Sequence, residues 1–359
     1  MTIFKAKRHK MKGRGAQINT DNPFDKLKKA KHPDLNFTPP PEDVKTEYLE
    51  THPKTLINKV ESPDVRMEYS MNPYQGCEHG CVYCYARNTH PYWGYSAGLD
   101  FETKILIKRE APEILAKKLA SPKWVAAPIM LSGNTDCYQP AEAKFKLTRQ
   151  ILEIVDRFNH PVGIITKSAL ILRDIDILSR LAEKKLVTVA ISINTVTEET
   201  RRLLEPRTAS IPRRLHVIEE LSKAGVYVHA MLGPLIPGLT DHEILNIIEA
   251  VSNAGAKNAG YITVRLNGDV GEIFTDWVKK TYPDKADKIL NRIKDTHGGT
   301  LNESRWGTRM SGKGIYADLM EKQFDLAKRK FMPDVQPFEY NLELYEKTKR
   351  PQTNLFDLM

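Results

Sequence analysis

Between residues 65 and 266 the chain alternates between two hydrophobic periods, and this constrains the fold more than anything else in it. Apolar runs short enough for buried strands fall at Val65–Met71, Ala127–Leu131, Val162–Thr166, Val187–Ile193, Val226–Leu232 and Tyr261–Leu266. Between them lie stretches of helical spacing at Glu110–Leu119, Ala141–Phe158, Ile171–Lys184 and Ile211–Ala224, with Gly225 at a C-cap, and a helix through Ile244, Ile247, Ile248 and Val251 that Asp241 caps. Strands that alternate with helices make a parallel sheet with right-handed crossovers. Six such units are too many for a simple open nucleotide fold and too few for a closed eight-fold barrel.

Composition narrows the setting. With 359 residues and 41% hydrophobic content the chain can bury one large core or two small ones. No apolar run reaches the length of a membrane span, and the start Met1-Thr2-Ile3-Phe4-Lys5 has no secretory apolar region. No membrane partner is expected. Four cysteines, three of them in one short stretch, do not make a disulfide framework, so a reducing cytoplasm and sensitivity to oxygen are expected.

Those three are Cys77, Cys81 and Cys84, in Cys77-Glu78-His79-Gly80-Cys81-Val82-Tyr83-Cys84-Tyr85-Ala86. Soft thiolates at C-x3-C-x2-C spacing can wrap one face of a metal cluster, with Gly76 and Gly80 freeing the backbone to turn. A four-iron cube held this way keeps one iron without a protein thiolate, open to a substrate or cosubstrate. The rival reading is a closed zinc site, which needs a fourth ligand from His79 or Cys137.

With the aromatic before its last cysteine and the trailing Tyr85-Ala86, the motif resembles the radical S-adenosylmethionine (SAM) superfamily. The resemblance implies an α/β fold, a partial (β/α)6 barrel of TIM type, with chemistry at the C-terminal strand ends. It implies a [4Fe–4S] cluster on Cys77, Cys81 and Cys84, SAM chelating the free iron, and an electron donor such as flavodoxin or ferredoxin. It also suggests cofactor contacts. Gly133, Asn134, Thr135 and Asp136 occupy the place of the glycine-rich segment near the SAM amino group, without the common Gly-Gly-Glu form. Ser192 and Asn194 suit the SAM ribose or carboxylate, although short polar residues before Glu198 also serve as helix caps. Leu232 and Pro234 begin a segment against adenine, and Tyr83 packs near adenine or plugs the barrel mouth.

Cys137 lies fifty-three residues beyond Cys84, at a strand end in Thr135-Asp136-Cys137-Tyr138-Gln139-Pro140. A core thiol is the ordinary fate of a lone cysteine. Polar neighbours and Pro140 instead place it on a loop over the site. The segment and barrel resemble the spore photoproduct lyase branch, and nearly the whole chain is similar to its lyase-like group. There a cysteine beyond the cluster donates a hydrogen atom, the catalytic role this implies for Cys137.

Around this barrel the sequence reads as residues 1–60 arm and linker, 61–270 barrel, 271–345 helical extension and 346–359 tail. Residues 1–31 hold ten Lys/Arg against Asp21 and Asp25, +8 of the net charge of +9. Such an arm suits phosphate neutralisation, or it is a solvated tail. Gly13-Arg14-Gly15-Ala16-Gln17 reads as a flexible phosphate contact or a hinge. Arg201, Arg202, Arg207, Arg213 and Arg214, and then Arg305-Trp306-Gly307-Thr308-Arg309, join cations to loops and, in the second, to a stacking indole. Their alternative is ion pairing with Glu198, Glu199 and neighbouring acids. Gln352-Thr353-Asn354-Leu355-Phe356 resembles a sliding-clamp docking motif. The expectation is a radical SAM enzyme acting on nucleic acid, in DNA repair of a lyase-like kind. Its rivals are action on RNA, a peptide or a small molecule, and a non-catalytic, metal-stabilised DNA-associated module.

Overall fold

The computed structural model describes residues 11, 13–24, 45–65 and 67–349. Among the described residues ten strands run in order: β1 (Glu47–Glu50), β2 (Ile57–Lys59), β3 (Tyr69–Met71), β4 (Tyr74–Gln75), β5 (Lys104–Ile107), β6 (Ile129–Leu131), β7 (Val162–Thr166), β8 (Val187–Ser192), β9 (Tyr227–Leu235) and β10 (Asn258–Thr263). The main sheet has the order β10-β9-β8-β7-β6-β3-β2. Its first six members are mutually parallel, and β2 adds an antiparallel edge. The six are the expected barrel strands in the expected order, so the partial (β/α)6 barrel stands.

Three departures have physical causes. The expected helix over 141–158 is two, Pro140–Phe145 and Leu147–Arg157, parted at Lys146 with φ 52°. Buried Glu142 accepts the Thr148 amide at 2.9 Å and so caps the second helix from inside the first. Similarly, a 3₁₀ turn (Asp241–Glu243) precedes helix Ile244–Asn253, and Asp241 accepts the Gly238 amide rather than capping that helix. The third departure lies near the N-terminus. Residues 45–60 are not linker: β1 pairs with β5 in a small sheet with β4, and β2 pairs with β3. Their charged, half-exposed sequences hide the strand period, although Leu56 is buried and Tyr48 meets Phe145 edge-on at 5.1 Å.

Helices Asp269–Thr281, Ala286–Thr296, Ile315–Phe331 and Glu343–Lys349 follow the barrel. The 304–312 loop joins the two sheet edges. Thr263 at the end of β10 donates its amide to Met310 O at 2.8 Å, while Arg309 pairs at 2.5 Å with Asp64, which lies between β2 and β3. No described helix is long and apolar enough to cross a membrane. The tail motif 352–356 and all the arm's cations except Arg14 lie outside the described residues.

Candidate active site

The cysteine loop follows β3 and β4 at the C-terminal end of the parallel strands. Cys77, Cys81 and Cys84 carry no disulfide. Burial raises all three thiols, Cys81 to about 12; Asp136 adds to it at Cys77 and Glu205 at Cys81, while Arg87 opposes it at Cys84. Cys81 and Cys84 are close enough to act electrostatically on Cys77, yet the three do not all close within 4.8 Å. Four thiolates about 2.3 Å from a single zinc would stand nearer than that, whereas a cluster spreads its ligands. Of the proposed fourth zinc ligands, His79 Nδ1 lies 3.3 Å from Asp136, and Cys137 is elsewhere. Among the described residues the only His/acid trio that tight is His216, Glu219 and Glu220. It sits on a surface helix, where Lys223 pairs with both carboxylates.

Behind the thiols, two fixed carboxylates face the strand ends. Asp136 accepts from Thr166 Oγ1 at 2.8 Å and from the Lys167 amide at 2.9 Å. Burial opposes its charge, but His79 and these donors hold it down at about 2. Glu205, fully buried, takes the Arg214 guanidinium and the Tyr83 hydroxyl. Against burial, Arg214 and then Lys167 keep it below the usual carboxylate range, while burial followed by Glu205 raises Tyr83 well above a free phenol. Tyr83 is therefore a neutral donor, and Asn194 Nδ2 approaches its oxygen at 3.3 Å.

Two groups stand out among these strand ends. Asn194 Oδ1 is buried and makes no hydrogen bond. The Lys167 ammonium follows β7, and its pKa is raised against burial by Cys81 and Glu205. An orphaned amide oxygen and an ammonium beside three convergent thiols fit a polar cofactor with a carboxylate and hydroxyls, which are the features of SAM. Sequence reasoning singled out Asn194 and placed Arg214 among the loop arginines with ion pairing as its alternative, but missed the roles of Lys167 and Glu205, whose partners Cys81 and Tyr83 are remote in sequence.

Other expected contacts move. Thr135 Oγ1 is spent on Tyr74 O at 2.7 Å and Asp136 on the contacts above, so neither side chain is open to a ligand. Gly133 O accepts from Tyr85, which is 53% exposed, and the Asn134 amide binds Asn72. Ser192 is buried, its carbonyl accepting from Arg214. Leu232 is a core residue three places before the end of β9. The apolar wall beside Cys81 and Tyr83 is Ile236 and Leu239, beyond the buried Pro234.

The expected position of Cys137 is corrected. It is 0% exposed, in the core cluster with Met71 and Leu131, and its carbonyl accepts from Thr148 at 2.6 Å. Its polar neighbours turn inward to satisfied bonds, so it sits among core side chains and not on a loop over the mouth. The arginine loop is corrected in part. Arg201 and Arg214 are buried and spent on Glu198, Glu205 and backbone carbonyls, Arg207 lies 3.4 Å from Glu78, and Arg202 and Arg213 remain exposed. Farther along, Arg305 pairs with Glu303, and Arg309 lies 3.8 Å over the half-exposed Trp306 indole.

A parallel partial barrel with a three-thiol loop after its first strand defines a class of cluster-dependent enzymes. A family model for the radical SAM superfamily matches residues 71–251. An uncharacterized protein of Mycobacterium tuberculosis is 31% identical over 247 residues, covering 68% of this chain and 72% of its own. The chain belongs to the radical SAM superfamily, whose members work with SAM and an iron–sulfur cluster. A radical SAM Nalpha-GlyT isomerase of Pseudomonas phage M6 is 25% identical over 189 residues, 51% of this chain and 36% of that one. Spore photoproduct lyase complexed with dinucleoside spore photoproduct shares the fold. Its TM-score is 0.56 at 16% identity, over 80% of each chain.

Proposed function

We propose that Cys77, Cys81 and Cys84 hold a [4Fe–4S] cluster and that the enzyme acts on nucleic acid, in the repair or remodelling of DNA within a reducing cytoplasm. When bound, the cluster supplies the electron that cleaves SAM reductively to methionine and a 5′-deoxyadenosyl radical, which takes hydrogen from the substrate. The chain's residues bind and orient. Lys167 is placed for the SAM carboxylate and Asn194 Oδ1 for a hydroxyl or ammonium donor, beside a Tyr83 ring fixed by Glu205. Ile236 and Leu239 offer an apolar surface that excludes water around a reactive carbon.

The observation that carries this reading is the set of three free thiols, two of them buried, beside the Lys167 ammonium and the unpartnered Asn194 Oδ1. Support for a nucleotide substrate comes from the basic arm, from exposed Trp306 with Arg309 on one face, and from relatives whose names concern a GlyT isomerase and a dinucleoside photoproduct. Gln352–Phe356 extends the reading to recruitment by a sliding clamp, and a flavodoxin or ferredoxin would supply the electron.

The test is anaerobic. Reconstituted, dithionite-reduced protein is expected to form 5′-deoxyadenosine from SAM, and Cys81→Ala to form none. Oligonucleotide binding is expected to weaken steeply with salt, and less steeply once residues 1–12 are removed. Zinc-loaded protein that takes up no iron would refute the cluster. Salt-independent binding would refute the nucleic-acid substrate and favour a peptide or small molecule.

A further inference from the structure

The stretch expected to be a flexible phosphate contact or hinge is instead packed against the cysteine loop. Gly15 and Ala16 donate their amides to the two oxygens of Glu102 at 3.1 and 2.8 Å, and Arg14 Nη1 donates to the Glu102 carbonyl at 2.9 Å. Glu102 is 0% exposed and also receives Arg87 Nη2 at 2.6 Å. Arg87, equally buried, donates from Nε and Nη2 to the carbonyl of Cys81 at 3.0 and 2.9 Å. Phe101, next to Glu102, accepts the Cys77 amide at 2.8 Å. Two of the three cysteines are thus held through one short helix, Leu99–Thr103, and that helix is held by the N-terminal segment.

The contact is too close for any side chain. A Cβ on Gly15 would stand 1.7 Å from the Gly80 carbonyl oxygen inside the cysteine loop, and one on Gly98 would stand 2.0 Å from Ile18 O. Ala16 is buried with Ala97 and Ile273, and Thr20 donates to Asp269 at 2.8 Å, so the segment is anchored to the helix after β10 as well. All of these strap residues lie outside the 71–251 stretch that the family model matches.

We infer that residues 14–20 are a clamp that positions the cysteine loop for its cluster, with Glu102 and Arg87 as the positioning residues that pass the restraint to Cys81. The inference rests on the cluster reading above. A buried carboxylate satisfied by two strap amides and one guanidinium fixes the loop's backbone before iron arrives, and outer partners of this kind hold metal ligands in place. Loss of the clamp leaves the three thiols in the sequence but frees their spacing.

The experiment compares the full chain with Gly15→Ala and Glu102→Gln. After anaerobic reconstitution one measures iron and sulfide per chain, the rate of iron transfer to a chelator, the electron paramagnetic resonance spectrum of the reduced cluster, and the thermal transition of the barrel by circular dichroism. Both variants should keep the transition, lose iron roughly tenfold faster or more, and show an altered spectrum. Parent-like iron retention and spectrum in both would overturn the clamp, as would loss of the barrel transition in Gly15→Ala, which would make the strap a support of the whole fold. A parent chain that takes up no iron would overturn the cluster reading itself, a result distinct from an intact cluster indifferent to the strap.

Discussion

At the scale of single residues, Cys137 and Lys167 exchange the positions their sequence neighbourhoods suggest. Cys137 stands in a polar run, yet Thr135 and Asp136 turn their side chains into the protein and leave the thiol in the core. Cys137→Ala is accordingly expected to cost about 1 kcal/mol of stability in denaturant titration and to leave 5′-deoxyadenosine formation at the parent rate. A variant that cleaves SAM normally but accumulates a different product would return the thiol to the chemistry. Lys167 carried no sequence signal, because nothing in Thr166-Lys167-Ser168 distinguishes a site cation from a surface one. Only the approach of Cys81 and Glu205 gives it a role.

At the scale of elements, the strand-end network is the part with measurable energetic weight. Arg214, 1% exposed, and Glu205, 0% exposed, are a buried ion pair. Removing one partner strands a charge, so Arg214→Met is expected to destabilise the fold by about 3–5 kcal/mol in urea unfolding, whereas Arg214→Met with Glu205→Leu should recover much of that. An Arg214→Met protein as stable as its parent would show that Glu205 is protonated or solvated. The same contrast explains what the sequence made legible. Central barrel strands such as Val162–Thr166 are largely buried on both faces and read as short apolar runs. The edge strands Glu47–Glu50 and Ile57–Lys59 face solvent and lack that signature, and the ion pair depends on residues that only the crossover brings together. The cysteine loop was legible because its ligands are contiguous, and its strap was not, because Gly15 meets Gly80 across sixty-five residues.

For the whole molecule, acid is the informative stress. Burial holds His90, His160 and His229 down to about 4, and His160 accepts Trp124 Nε1 at 3.0 Å through the nitrogen a proton would need. Unfolded, the three titrate near pH 6.5. Between about pH 6.5 and 4 the unfolded chain therefore binds more protons, and stability falls as pH drops, by at most about 4 kcal/mol per unit for three groups. Asp136 acts later. Its folded value near 2 lies below that of a free carboxylate, so its contribution is present above about pH 4 and fades as pH falls through 2. Denaturant midpoints at pH 7.5, 6 and 5 are expected to decline in that order, and a flat profile would mean that the histidines are wet.

The join between β2–β3 and β10 has a consequence for how the enzyme breathes. Six strands are stitched by backbone ladders, but among the described residues the two edges meet through Asp64, Ser62, Arg309 and the Gly307 amide, held by side chains that an ion or a phosphate can compete for. A wall fastened this way can part without loss of any ladder hydrogen bond, and such local openings are the low-energy ones. Asp64→Ala should therefore quicken amide exchange over residues 304–311 and leave Val187–Ser192 as slow as before. Unchanged exchange at 304–311 would mean that the hydrogen bond from Thr263 to Met310, and not the salt link, keeps the loop in place. If the loop does open first, the enzyme has a side door whose latch answers to ionic strength, and a nucleic acid of the kind proposed above would not have to be threaded end-first to reach the reacting atoms.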